Sequence, residues 1–136
     1  MDSRPLAQLP WAVSHEEFAR AASRVGPGGA CCVFVIDQAI PNNARNGYAA
    51  LVIAYARADE PVYILEDGAA VLLVRDGGTT AAEVAARRVI GQMQRLALEQ
   101  TLRAGVAPLG GDVDAAMIVA RSAAENGAAG GITVAK

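Results

Sequence analysis

Pro61-Val62-Tyr63-Ile64-Leu65-Glu66-Asp67-Gly68-Ala69-Ala70-Val71-Leu72-Leu73-Val74 reads as two β-strands joined at Glu66-Asp67-Gly68. Asp-Gly between apolar runs is the strongest short-range hairpin signal, because both residues tolerate positive φ. The second strand, Ala69 to Val74, is almost wholly apolar. That predicts burial on both faces and a place in the middle of a sheet.

Upstream of the hairpin, Asp59-Glu60-Pro61 breaks a helix. Its apolar residues Ala44, Tyr48, Leu51, Val52 and Tyr55 recur at helical spacing, and the helix is expected to run to about Ala58. Gln38 to Asn46 is loop-like. Before it, Ala30 to Ile36 is an unbroken apolar run, a central strand that stops at Asp37. Earlier still, Ser14-His15-Glu16-Glu17 is a capping box, with Ser14 as the cap and Glu17 reaching back to its amide. The helix it opens runs to about Val25, with Phe18, Ala21, Ala22 and Val25 on one face, and Gly26-Pro27-Gly28-Gly29 ends it.

Downstream, Thr79 or Thr80 caps a helix from about Ala81 to Leu96, with Ala82, Ala85, Val89, Met93 and Leu96 as the buried stripe. Leu98 to Val106 is a strand in which Gly105 permits a close approach. Asp112 caps a last helix whose inner face is Val113, Ala116, Met117, Ala120 and Ala124. Gly127 to Gly131 ends it, and Ile132 to Ala135 is a final strand. The order is α-β-α-β-β-α-β-α-β, a sheet covered by helices that contains one antiparallel hairpin.

At 136 residues the chain suits one domain with a real core, and 53% hydrophobic against 19% charged residues places it among globular proteins. The net charge of −2 and the lack of a basic run argue against nucleic acid as a partner. No apolar stretch has the length of a membrane span. The first residues lack the apolar core of a secretory signal, so the expected location is cytoplasmic.

Few residues carry obvious chemistry. Asp37, at the C-terminal end of a buried strand, stands where α/β proteins often place a metal or substrate ligand; the same position suits a loop residue capping the next turn. Cys31 and Cys32 are adjacent in a strand and point to opposite faces, so they read as small core residues. His15 is the sole histidine and sits in a solvated first helical turn. Trp11, in the extended residues 1 to 13 with Pro5 and Pro10, either pins that segment to the body or docks a partner. Gly110-Gly111-Asp112 is a turn followed by a cap.

From Ala30 to the end, the chain resembles the GGDEF domain of bacterial diguanylate cyclases. Three strings carry the likeness. Ala69-Ala70-Val71-Leu72-Leu73-Val74 is similar to the strand after the family's signature turn. Leu102-Arg103-Ala104-Gly105-Val106-Ala107-Pro108-Leu109 is similar to its S-I-G-V-A strand and loop. Asp112-Val113-Asp114-Ala115-Ala116, with its Gly-rich end and short strand, is similar to its closing unit. The resemblance implies an α/β (α+β) fold of the nucleotide-cyclase, ferredoxin-like palm type. Its five-stranded mixed sheet would carry a central antiparallel hairpin with helices packed on it. Residues 1–29 would form an N-terminal extension with an extra capped helix, and residues 30–136 the GGDEF-like domain.

The family condenses two GTP molecules into cyclic di-GMP, two half-sites each presenting one GTP with divalent metal. Its Gly-Gly-Asp-Glu-Phe signature falls at the tip of the hairpin. The equivalent positions here are Leu65, Glu66, Asp67, Gly68 and Ala69, of which Asp67 alone matches. Asp37 matches the metal-binding aspartate after the first strand, so Asp37 and Asp67 are the pair that would hold Mg²⁺. The family's phosphate-binding basic residues near the end of the last helix have no counterpart in residues 123 to 128. Its product-binding Arg-x-x-Asp remains only as Arg57-Ala58-Asp59.

These losses lead to an expected function. The chain would be a degenerate, non-catalytic GGDEF-like domain, not an enzyme and without a required cofactor. It would act by protein–protein contact on another signalling component, in bacterial cyclic di-GMP or related signalling. A homodimer is compatible with that reading. Two rivals stand beside it. One is a receptor that binds GTP or cyclic di-GMP without cyclase activity. The other is a roadblock-like dimerisation module, which the Val71–Val74 strand and the following helix would suit.

Overall fold

The structure is a computed structural model that describes residues 12–135; Trp11, with Pro5 and Pro10, lies outside the described residues. Four helices and five strands follow in the expected order. They are α1 (His15–Val25), β1 (Ala30–Ile36), α2 (Asn42–Tyr55), β2 (Val62–Ile64), β3 (Ala70–Val74), α3 (Gly78–Arg95), β4 (Leu102–Pro108), α4 (Val113–Asn126) and β5 (Ile132–Val134). No helix among the described residues is long and apolar enough to cross a membrane.

The five strands form one mixed sheet in the order β2-β3-β1-β4-β5. All neighbouring pairs are antiparallel except β4 and β5, which are parallel. The sheet is covered on both faces, so its inner strands are apolar on both sides. Cys32, Phe34, Ile36, Ala70, Leu72 and Val74 face α2 and α3 and pack with Val52, Ala85, Val89 and Met93. Cys31, Val33, Val71 and Leu73 face α1 and α4 and pack with Phe18, Ala22, Met117 and Ala120. The two cysteines thus enter different halves of the core, both as free thiols. Burial pushes the Cys31 thiol up to about 12 and raises that of Cys32 as well, which leaves both unreactive.

Three sequence signals carry over unchanged. Ser14 and Glu17 complete the capping box of α1. Asp112 caps α4 by accepting hydrogen bonds from the N–H groups of Asp114 (3.0 Å) and Ala115 (3.3 Å). Gly105 lets α4 lie directly on β4: a Cβ there would stand 1.8 Å from the Ala120 carbonyl oxygen and 2.6 Å from the Ala124 nitrogen.

Several expectations need correction. The hairpin is not central: β1 is the middle strand, β3 lies one position in, and β2 is the edge strand. β2 spans only three residues, and its outer side is met by Val13, which bridges to Tyr63 and donates its N–H to Val62 O at 2.9 Å. Helix α2 starts at Asn42, inside the stretch to Asn46 expected to be loop, with extended Pro41 as its cap, and ends at Tyr55, short of the expected Ala58. Proline preset near φ −68° opens a helix without needing an N–H of its own, a role the Asn-rich loop composition obscured. Neither Thr79 nor Thr80 caps α3; Gly77 does so, at φ 89°, and the helix starts at Gly78. Leu96, expected in the buried stripe, is largely exposed because α3 ends at Arg95. The fourth strand begins at Leu102, since Glu99–Thr101 form a turn of 3-10 helix.

Candidate functional site

The end of β1, the tip of the β2–β3 hairpin and the start of β4 meet at one end of the sheet. They do so because β3 and β4 both run antiparallel to β1, with Phe34 opposite Ala70 and Ile36 opposite Leu102. Asp37, the first residue after β1, donates its N–H to Thr101 O at 2.9 Å. Helix α4 leaves the far end of β4 and returns along the sheet. Its C-terminal half, with Arg121 and Glu125, therefore arrives over the hairpin.

The signature-equivalent residues Leu65 to Ala69 make a tight loop. Leu65 N–H donates to Ala69 O at 2.8 Å, and Gly68 N–H donates to Leu65 O at 2.9 Å. Only Gly68 takes the left-handed conformation, at φ 90°; Asp67 does not use its tolerance for positive φ. This is the geometry of a three-residue hairpin loop closed by a glycine. Asp67 contributes differently, through its side chain: Oδ1 accepts the Ala69 N–H at 3.2 Å. Glu66 is exposed.

Two arginines then converge on the loop. Arg121 makes a two-pronged pair with Asp67, Nη1 to Oδ1 at 3.3 Å and Nη2 to Oδ2. The hydrogen bonds from this guanidinium hold the Asp67 carboxyl below the ordinary carboxylate range, and the pairing raises Arg121 in turn. Arg45, in the first turn of α2, is only 9% exposed and is the one buried charged side chain among the described residues. It donates three hydrogen bonds to backbone oxygens: Nε to Ile40 O at 3.1 Å, Nη1 to Asp67 O at 3.1 Å and Nη2 to Asp37 O at 3.0 Å.

The structure therefore does bring Asp37 and Asp67 to one place, but through their carbonyls and on either side of a guanidinium. Their carboxylates have other partners. Asp37 Oδ1 accepts the Ala39 N–H at 2.9 Å, the loop-capping role open to it from sequence. Asp67 is held by Arg121. Among the described residues no group of three or more His, Cys, Asp or Glu could hold a metal ion. The donors present do not fit the divalent metal that the resemblance implies. Beside the site, a cavity of about 290 Å³ is lined by Asp37, Gln38, Gln100, Arg103 and Glu125. With two carboxylates against one guanidinium, its charge disfavours a polyphosphate.

Among the described residues the remnant at Arg57 and Asp59 makes no side-chain ion pair. Both residues are exposed, and Arg57 engages through its backbone N–H, which donates to Glu60 Oε1 at 2.7 Å. The charge pair in that turn is Glu60 with Arg88 of α3, linked by contacts of 2.9–3.0 Å. Sequence reasoning missed Arg45, Arg121 and Arg88. For Arg121 a topological signal was available: a helix returning from β4 must carry its C-terminal half back to the hairpin end, two residues before the segment searched for cations. Arg45 and Arg88 offered none, since their partners lie across the fold.

No protein-family model matches the sequence, and no curated protein matches it. Solved structures do. The GGDEF domain of YfiN (TpbB) from Pseudomonas aeruginosa aligns over 99% of this chain and 94% of its own, at 20% identity and a TM-score of 0.69. The coiled coil and GGDEF domain of DgcB from Caulobacter crescentus, solved in complex with cyclic di-GMP, aligns over 96% of this chain and 83% of its own, at 13% identity and a TM-score of 0.72. The GGDEF domain of FimX from Pseudomonas aeruginosa aligns over 93% and 98%, at 16% identity and a TM-score of 0.66. Such likeness speaks for architecture, and the architecture agrees with the strings quoted from the sequence: the chain has the fold of a GGDEF domain.

Proposed function

We propose that this protein is a non-catalytic GGDEF-fold domain that acts through contact with another protein in bacterial cyclic di-GMP or related signalling. The observation that carries the reading is the Arg121–Asp67 pair at the hairpin tip. Phosphoryl chemistry on GTP needs free anionic ligands for metal and free cations for phosphate. At this tip the two have been spent on each other. Leu65 and Glu66 stand where the family has glycines, so side chains crowd the line along which a nucleotide would approach the backbone.

The test is turnover. Purified protein incubated with GTP and either Mg²⁺ or Mn²⁺ is expected to yield no cyclic di-GMP by chromatography; product formation overturns the reading. Melting temperature is measured in parallel with GTP, GDP and cyclic di-GMP, because a ligand that binds only the folded state raises it. No shift supports a domain that works by protein contact. A concentration-dependent rise replaces that reading with a receptor.

A further inference from the structure

We infer that Arg45 is a built-in cation, a positioning residue whose guanidinium holds the end of β1 and the hairpin tip together where the resemblance implies a divalent metal. A charged side chain removed from water is costly unless paired, and no carboxylate among the described residues is hydrogen-bonded to Arg45. What it has instead is three carbonyl oxygens, from Ile40, Asp67 and Asp37, one on each nitrogen. Three carbonyl dipoles aimed at one buried positive group make a cation site built from backbone. The chain supplies the cation itself.

The shape of the site selects guanidinium over metal. Mg²⁺ gathers oxygen ligands at about 2.1 Å around a point. Here the oxygens stand around a planar fork, matched to the fixed directions of its N–H groups. The nearby carboxylates cannot fill the gap, since Asp37 caps its own loop and Asp67 is held by Arg121. Arg45 does what a metal would do for the tip: it holds Asp67, 22 residues away in sequence, against Asp37 at the end of β1. It does so permanently, with no dependence on metal concentration. The inference deepens the non-catalytic reading and rests on it for the closed tip. The two fail separately, since a protein that makes no cyclic di-GMP can still bind a metal ion.

The experiment has two arms. In the first, MnCl₂ is added to ¹⁵N-labelled wild-type protein and amide signals are followed by NMR. Residues 37–40 and 66–69 are expected to broaden no more than other exposed loops. Selective loss of the Asp37 and Asp67 signals at micromolar Mn²⁺ overturns the inference. In the second, Arg45→Ala is melted in millimolar guanidinium chloride and in NaCl of equal strength. A rise in melting temperature of several degrees in guanidinium, absent from the wild type, is expected as the free ion refills the site. Equal behaviour of variant and wild type overturns the inference. If Arg45→Ala does not fold, the manganese arm on wild-type protein decides alone.

Discussion

The seam between β4 and α4 and the tip of the β2–β3 hairpin are held by opposite means. At the seam, Gly105 removes a side chain so that two backbones touch, and the small residues Ala116, Ala120 and Ala124 line the helix face. At the tip, the backbones of β1, the loop before α2 and the hairpin are kept in place by guanidinium groups reaching in from two helices. The difference teaches where this fold can change. A seam made of missing atoms tolerates no addition, whereas a tip held by long side chains can trade one partner for another. Divergence is therefore easiest at the tip, the end of the sheet where the resemblance places the family's signature.

Breaking the seam should have the largest effect. Gly105→Ala puts a methyl group 1.8 Å from a backbone oxygen, so α4 must move off the sheet. A loss of about 3 kcal/mol or more is expected, read by urea or thermal denaturation. A loss below about 1 kcal/mol would mean that the seam is slack. The comparison sharpens at a third place, the Arg57–Glu60 turn, where a charge pair is much less exposed than at the tip: side chains of Arg88 and Glu60 are 25% and 10% exposed. Glu60→Gln should cost about 2 kcal/mol, since it leaves Arg88 partly buried beside a weaker acceptor. An unchanged melting temperature would place that turn with the surface pairs.

The smallest effect belongs to Arg121→Met. The pair it removes is substantially exposed, Arg121 at 29% and Asp67 at 45%, so solvent screening limits its contribution to about 1 kcal/mol or less. Its pH dependence has a definite sign. The folded-state carboxyl of Asp67 lies below its ordinary value of 3.8. The contribution is therefore full above that value and fades as the pH falls through the depressed one. Wild type and Arg121→Met should differ at neutral pH, begin to converge as the pH falls below about 3.8, and meet only beneath the depressed value. A difference that persists unchanged into strong acid would show that Arg121 acts by packing rather than by charge.

What could be read in the sequence follows the same division. The hairpin, the buried run of β1 and the caps at Ser14 and Asp112 are local statements, set by residues close in sequence, and Gly105 is legible because a glycine inside an apolar strand itself marks a close approach. They survive in the structure with small shifts at element ends. The position of β2 at the sheet edge was not legible, because an apolar three-residue strand says nothing about its outer neighbour. The arginine contacts are less legible. Arg45 and Arg88 carry no mark of which way they will reach, since their partners lie 22 and 28 residues away in sequence. For Arg121 only the return of α4 from β4 points to the hairpin end, 54 residues away. Asp37 and Asp67, expected to share a metal through their carboxylates, meet only through their carbonyls at Arg45, while the carboxylates have other partners.

If the chain's own arginines organise the hairpin tip, hydrogen exchange of the Gly68 and Ala69 amides, which donate to Leu65 O and to the Asp67 carboxylate, reports it. Exchange is followed in EDTA and again with Mg²⁺ and GTP present. The same protection is expected in both conditions, with faster exchange at Gly68 in Arg45→Ala. Protection that arises only when Mg²⁺ and GTP are added would mean that a bound metal, and not the arginines, orders the tip.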